Sequence, residues 1–130
     1  MSLMVESVSS RFLIKSKDIP ECFKAIRAAG IPATDIIDAF ERNHFSVSVD
    51  EQRNICSIHM EWHRVGEVWC EEFLSTIAPY VKNGSFIEVE GSDSGRPYAV
   101  YWKYVFRRKI LMWQQSKLVY MKAVPVIHSR

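Results

Sequence analysis

Apolar residues recur along this chain at two spacings, every second position and every third or fourth, and the switches between them predict its elements. Phe12 and Ile14 alternate with Leu13 and Lys15, which predicts a short strand over residues 11–16. Asp18-Ile19-Pro20-Glu21 is a helix start, with an acid near the cap and a proline where its missing N–H is no loss. Ile19, Phe23 and Ile26 then give one apolar face, and Gly30 is placed to end the helix. Thr34 is expected to cap a second, shorter helix with Ile36, Ile37 and Phe40 inward.

Residues 45–49 and 55–62 alternate about a polar turn at 50–54 and so predict a hairpin. Cys56, Ile58, Met60 and Trp62 share one face of its second strand, and Ser57, His59 and Glu61 the other. Residues 67–78 make the clearest helix: Trp69, Phe73 and Ile77 recur every four positions, with Glu67, Glu71 and Glu72 outside. Acids in its first half suit the positive end of the helix dipole. Pro79 stops it, and Asn83-Gly84 is a turn dipeptide. Strands are expected at 85–90, 98–106, 109–113 and 117–123, with a flexible hairpin loop at 91–95.

This order predicts an α+β fold: a single domain with a mostly antiparallel twisted sheet covered by about three helices. It is compatible with a ferredoxin-like β-α-β-β-α-β arrangement carrying extra C-terminal strands. Met1-Ser2-Leu3 reads as a cloning remnant before a natural start at Met4, leaving residues 4–130 as one domain. Neither a repeat nor a linker divides it.

The stretch from about residue 55 to 106 also carries a recognisable cadence, clearest from residue 73 onward. Ile77-Ala78-Pro79-Tyr80-Val81 closes a helix, Asn83-Gly84-Ser85 turns, and Phe86-Ile87-Glu88-Val89 opens a strand. Tyr101-Trp102-Lys103-Tyr104-Val105-Phe106 follows as an aromatic strand. In this the chain resembles a group of small uncharacterised bacterial and phage-associated proteins. Their helices end in "IAPYV", followed by a "GS(F/Y)IE" turn and strand and a "WRWVF"-like strand. The hairpin Ser92-Asp93-Ser94-Gly95 is less acidic than the group's "GEDG". The resemblance implies a fold and a bacterial or phage setting, and no particular activity.

Composition changes the picture mainly through charge. The formal net charge is +2, yet the last thirty-five of the 130 residues hold eight of the 17 bases and none of the 15 acids. They also hold seven of the sixteen aromatics. Such a polarised chain either pairs its own halves or presents a positive surface to a partner. No apolar run approaches the ~20 residues of a membrane span, and with neither a basic n-region nor an apolar h-region at the N-terminus, secretion through a signal peptide is not expected. Cys22, Cys56 and Cys70 have no zinc-like spacing and read as small buried hydrophobes in a reducing, cytoplasmic compartment.

Three functions follow, in order. The first is a non-catalytic binding or regulatory protein, without a cofactor, that engages a protein partner or a second copy of itself through the basic aromatic C-terminal strands. Exposed Tyr and Trp beside Arg is the composition of interface hot spots, and a terminal β-rich segment can pair edge to edge in a homodimer. The alternative is a single-stranded nucleic-acid binder. Tyr101 and Lys103 would then meet bases and phosphates, and Arg107, Arg108 and Lys109 would form a phosphate clamp at the hairpin turn. Against it, 101–109 lacks the glycines of an RNP1 signature. The third is a metal site or metal-dependent enzyme on His59-x-Glu61-x-His63, where alternation puts two imidazoles and a carboxylate on one strand face. No nucleophile or phosphate-loop motif argues for catalysis.

Overall fold

The computed structural model describes residues 3–60, 63–64, 70–93 and 99–115. Among them the elements run β1 (Leu3–Arg11), α1 (Ile19–Ala28), α2 (Ile36–Arg42), β2 (Phe45–Val49), β3 (Ile55–Met60) and β4 (His63–Arg64). They continue with α3 (Cys70–Ile77), β5 (Phe86–Asp93), β6 (Ala99–Arg107) and β7 (Ile110–Gln115). Every strand pairing among the described residues is antiparallel. The chain is thus α+β, as its alternation pattern predicts. The predicted strand at 117–123 lies outside the described residues.

One sheet has the order β4-β1-β5-β6-β7, while the β2-β3 hairpin forms a second. Because β3 and β4 lie along the edge of β1 opposite β5, the spatial order β2-β3-β1-β5 follows the expected ferredoxin-like arrangement with β6 and β7 added, and the serines of β1 explain why the two ladders part. Ser7 pairs with Val89 and Ser9 with Glu88, so Val8 is an extra, bulged residue. On the opposite edge, β3 meets β1 through hydroxyls instead of a main-chain ladder. Met60 N–H donates to Ser7 Oγ at 2.8 Å, and Ser10 Oγ donates to the Ile58 carbonyl at 2.6 Å. Main-chain pairing resumes only at Ile14 and Ile55, which exchange two bonds of 2.9 Å.

Local details depart from the expected elements at several points, among them residues 91–93, which continue β5 and pair with β1 where a flexible loop is expected. β1 takes in Leu3 and ends at Arg11, whereas the predicted strand begins there; the serine-rich stretch ahead of Arg11 masks a strand with one buried face. Asp35, not Thr34, caps α2: its side chain accepts from Asp38 N–H at 2.8 Å, while Asp38 Oδ2 accepts from Thr34 N–H at 2.9 Å. The Thr34 bond, helped by Arg42, holds the Asp38 carboxyl below its ordinary range. Cys56 is exposed, because Ser57 pairs with Ser48 and Ile55 with Val49, which leaves Cys56 as the extra residue of a second bulge.

The helices bury their apolar stripes on one side of the strands. Cys22 and Ile26 of α1, Ala39 and Phe40 of α2, and Phe73, Leu74 and Ile77 of α3 join one core with Phe12, Ile14, Ile87 and Phe106. Phe40 meets Phe73 edge-on with ring centroids 5.0 Å apart, and Phe12 meets Phe106 at 5.6 Å. Burying each such ring contributes ~1.5–3 kcal/mol, so these aromatics fix how helices and strands stack. Among the described residues no helix is long and apolar enough to cross a membrane.

Candidate functional site

Alternation along β6 sends Trp102, Tyr104 and Phe106 into the core, as predicted, and leaves Tyr101, Lys103 and Arg107 on the open face. Tyr104 ties β6 to α3 by donating its hydroxyl to Glu71 Oε2 at 2.8 Å. Burial, more than the nearby Cys70 and Glu71, pushes the Tyr104 phenol far above its usual value. A groove of about 440 Å³ between these elements is lined by Glu71, Ser75, Tyr104, Leu111 and Trp113.

The open face is divided by charge. Glu6 lies opposite Glu90, Glu90 opposite Tyr101, and Glu88 opposite Lys103. Tyr101 donates to Glu90 Oε1 at 3.3 Å, and that carboxylate is the main cause that pushes its phenol upward. The Lys103 ammonium sits 4.7 Å from the Phe86 ring centroid, a cation–π geometry. These two predicted binding residues therefore lie among carboxylates, where an approaching anion is repelled.

Arg107, Arg108 and Lys109 stand at the other end. Arg107 pairs with Ile110 across the hairpin, so Arg108 and Lys109 are its two central residues. Their φ angles are 53° and 67°. Positive φ at both positions is what a type I′ turn demands, a requirement Asn-Gly meets at least cost. Holding Arg and Lys there costs on the order of 1 kcal/mol per residue. The Arg108 amide donates to Asn83 Oδ1 at 2.9 Å, which joins this turn to the one before β5. That turn is closed by Ser85 N–H on the Lys82 carbonyl at 3.1 Å, with Gly84 at φ 90°.

Through these bonds the C-terminal bases meet others that lie far away in sequence. Lys82 N–H donates to the Leu13 carbonyl at 2.8 Å, which brings Lys15 and Lys17 alongside. Lys15, Lys17, Asp18, Tyr80, Lys82 and Asn83 line a cleft of about 270 Å³. Arg11, paired with Phe86, ends β1 on the same side. Arg11, Lys15, Lys17, Lys82, Arg107, Arg108 and Lys109 are all exposed, and among the described residues none of them pairs with a carboxylate. Sequence reasoning found the last three and missed the first four, because the fold, not local spacing, assembles them.

Of the His-x-Glu-x-His candidate, only the His59 side chain is described. Its Nδ1 lies 2.9 Å from Ser7 Oγ, the same oxygen that accepts from Met60 N–H. Glu61 and the side chain of His63 lie outside the described residues. Among those described, no three His, Cys, Asp or Glu side chains are grouped to hold a metal ion. Cys22 and Cys70 are buried, and burial pushes the Cys22 thiol up to about 12 and Cys70 higher still. Neither is poised as a nucleophile at neutral pH. Compared with protein families, curated proteins and solved structures, the chain has no match.

Proposed function

We propose that this chain is a non-catalytic binding protein that engages an anionic partner through the basic end of its sheet. One observation carries the reading: seven exposed cations from three separate segments converge there without carboxylate partners among the described residues. Like charges gathered in this way repel one another, and a strained turn presents two of them. Both terms oppose folding, and an anion would relieve the first. The binding surface expected on the C-terminal strands is thereby narrowed to the turn of Arg107, Arg108 and Lys109, joined by Lys15, Lys17 and Lys82. A reducing cytoplasmic setting and the bacterial or phage origin implied by the resemblance belong to the same proposal.

The test is binding of labelled polyanions, poly-glutamate and single-stranded oligonucleotides, at low and near-physiological salt. Affinity should fall steeply with salt, and the triple variant Arg107→Gln, Arg108→Gln, Lys109→Gln should bind more weakly with a shallower slope. Salt-independent binding, or an unchanged triple variant, removes the reading.

A second reading rests on β7. Among the described residues this strand has a neighbour on one side only, and it exposes Ile110, Met112 and Trp113. Edge pairing with a second copy would cover them. Light scattering decides it: a dimer has twice the 15.1 kDa of the chain, and Met112→Lys should return it to a monomer.

A further inference from the structure

We infer that the anionic partner is a single-stranded nucleic acid, whose backbone phosphate sits in the cleft between Lys15, Lys17 and Lys82 while a neighbouring base packs on Tyr80. This rests on the reading of the basic end as an anion-binding surface and names what binds there. Three observations carry it.

The first is size. The cleft holds about 270 Å³, below the ~300–1,000 Å³ of pockets that enclose a whole small molecule. It suits one unit of a longer ligand. The second is continuity. Asn83 lines the cleft, and its Oδ1 is bonded to the Arg108 amide, so this bond joins the wall that carries Lys15, Lys17 and Lys82 to the turn of Arg108 and Lys109. A track of separated positive charges matches a polymer of phosphates.

The third is the composition of the wall. Tyr80 is half-buried, its ring anchored against the core yet lining the cleft. A ring set among ammonium groups is the pairing that holds an unstacked base beside its phosphate. A protein interface of any strength needs a desolvated apolar centre. Here the apolar lining besides Tyr80 is Pro79 and the buried Val81. Asp18 is the one carboxylate lining the cleft, and it is outnumbered by three lysines. An unpaired strand is required, because a base held in a duplex has no free face to offer the ring.

The test is fluorescence anisotropy with the full chain, using labelled single-stranded RNA and DNA, the matching duplex, and a poly-glutamate peptide of equal charge. The wild type should bind a single strand at least tenfold more tightly than the duplex or poly-glutamate. Lys15→Gln, Lys17→Gln, Lys82→Gln together should weaken binding tenfold or more and flatten the log–log salt slope by about 0.7, as expected for the one phosphate seated there. Tyr80→Leu should weaken it about tenfold, and Tyr80→Phe should restore it. The three lysines are exposed, so the thermal melt of their variant should match the wild type. Equal affinity for poly-glutamate, with loss in the Arg107, Arg108 and Lys109 variant, overturns the nucleic acid and leaves the basic end as an acidic-protein surface. Single-strand binding that survives the lysine variant overturns the cleft as its seat. Binding of no polyanion overturns both this inference and the reading beneath it.

Discussion

Two hairpin turns hold non-glycine residues at positive φ, and they treat the strain in opposite ways. In the turn between β2 and β3, Arg53 has φ 66°. Asp50 compensates in place: its Oδ1 accepts from Asn54 N–H at 2.9 Å and its Oδ2 from Asn54 Nδ2 at 3.1 Å. Asn54 Oδ1 in turn takes the Ser16 amide at 2.8 Å, which docks the turn on the start of the helical layer. In the turn between β6 and β7, Arg108 and Lys109 are both strained, and among the described residues the one side-chain bond the turn receives comes from outside, from Asn83. The Arg108 and Lys109 side chains hold nothing within the described fold. Strain answered by local hydrogen bonds is part of the architecture. Strain carried by exposed charges without a folding role points to what those charges meet.

The largest effect should come from cutting the compensated turn. Asp50→Ala removes both bonds to Asn54 and should destabilise the protein by about 2 kcal/mol in urea unfolding. A loss below ~0.5 kcal/mol would mean the two turns do not differ as described. Next, Arg108→Asn with Lys109→Gly supplies the residues a type I′ turn prefers. It should raise stability by ~1 kcal/mol while weakening polyanion binding. A gain in stability without a loss of binding would separate the strain from function. Arg53→Gly should help less, by ~0.5 kcal/mol, because its turn is already compensated; urea midpoints of the two variants compare the strains directly.

An alkaline limb is common to both turns. Cys22 ionises at about 12 in the fold against its ordinary value of 9.0, so the unfolded chain releases its proton first. The Cys22 contribution to stability should be constant below about pH 9 and fall as pH rises toward 12. Cys22→Ala should make that fall shallower, and neither turn variant should move it. At pH 8 a thiol reagent should label exposed Cys56 at once and the buried Cys22 and Cys70 only on unfolding. The slow phase should quicken in Asp50→Ala and slow in the Arg108, Lys109 variant.

Much of this architecture is legible in the chain because one face of each element is apolar. Phe73, Leu74 and Ile77 announce α3, and Trp102, Tyr104 and Phe106 announce the buried face of β6. What escapes is where a polar side chain does the work of the main chain. β1 is hidden by Ser7, Ser9 and Ser10, and Cys56 reads as buried because alternation cannot foresee a bulge. The candidate site is half legible. Arg107, Arg108 and Lys109 are adjacent and stand out, whereas Lys15, Lys17, Tyr80 and Lys82 join them only through the Leu13–Lys82 and Asn83–Arg108 bonds. The same pairing rules that gather those cations also place Tyr101 and Lys103 opposite glutamates, which no spacing within 98–106 reveals.

A main-chain ladder is beyond the reach of mutation, since every residue but proline brings the same N–H and C=O. Along the seam between β1 and β3 that immunity is suspended, because Ser7 and Ser10 supply with hydroxyls what peptide groups supply elsewhere. One codon change at either serine edits the connectivity between the two sheets and leaves every main-chain ladder in place. The seam is therefore where a lineage carrying this fold can loosen or tighten the join between its halves, one hydroxyl at a time. The Met60 amide, bonded to Ser7, is the proton whose exchange with solvent would record each edit.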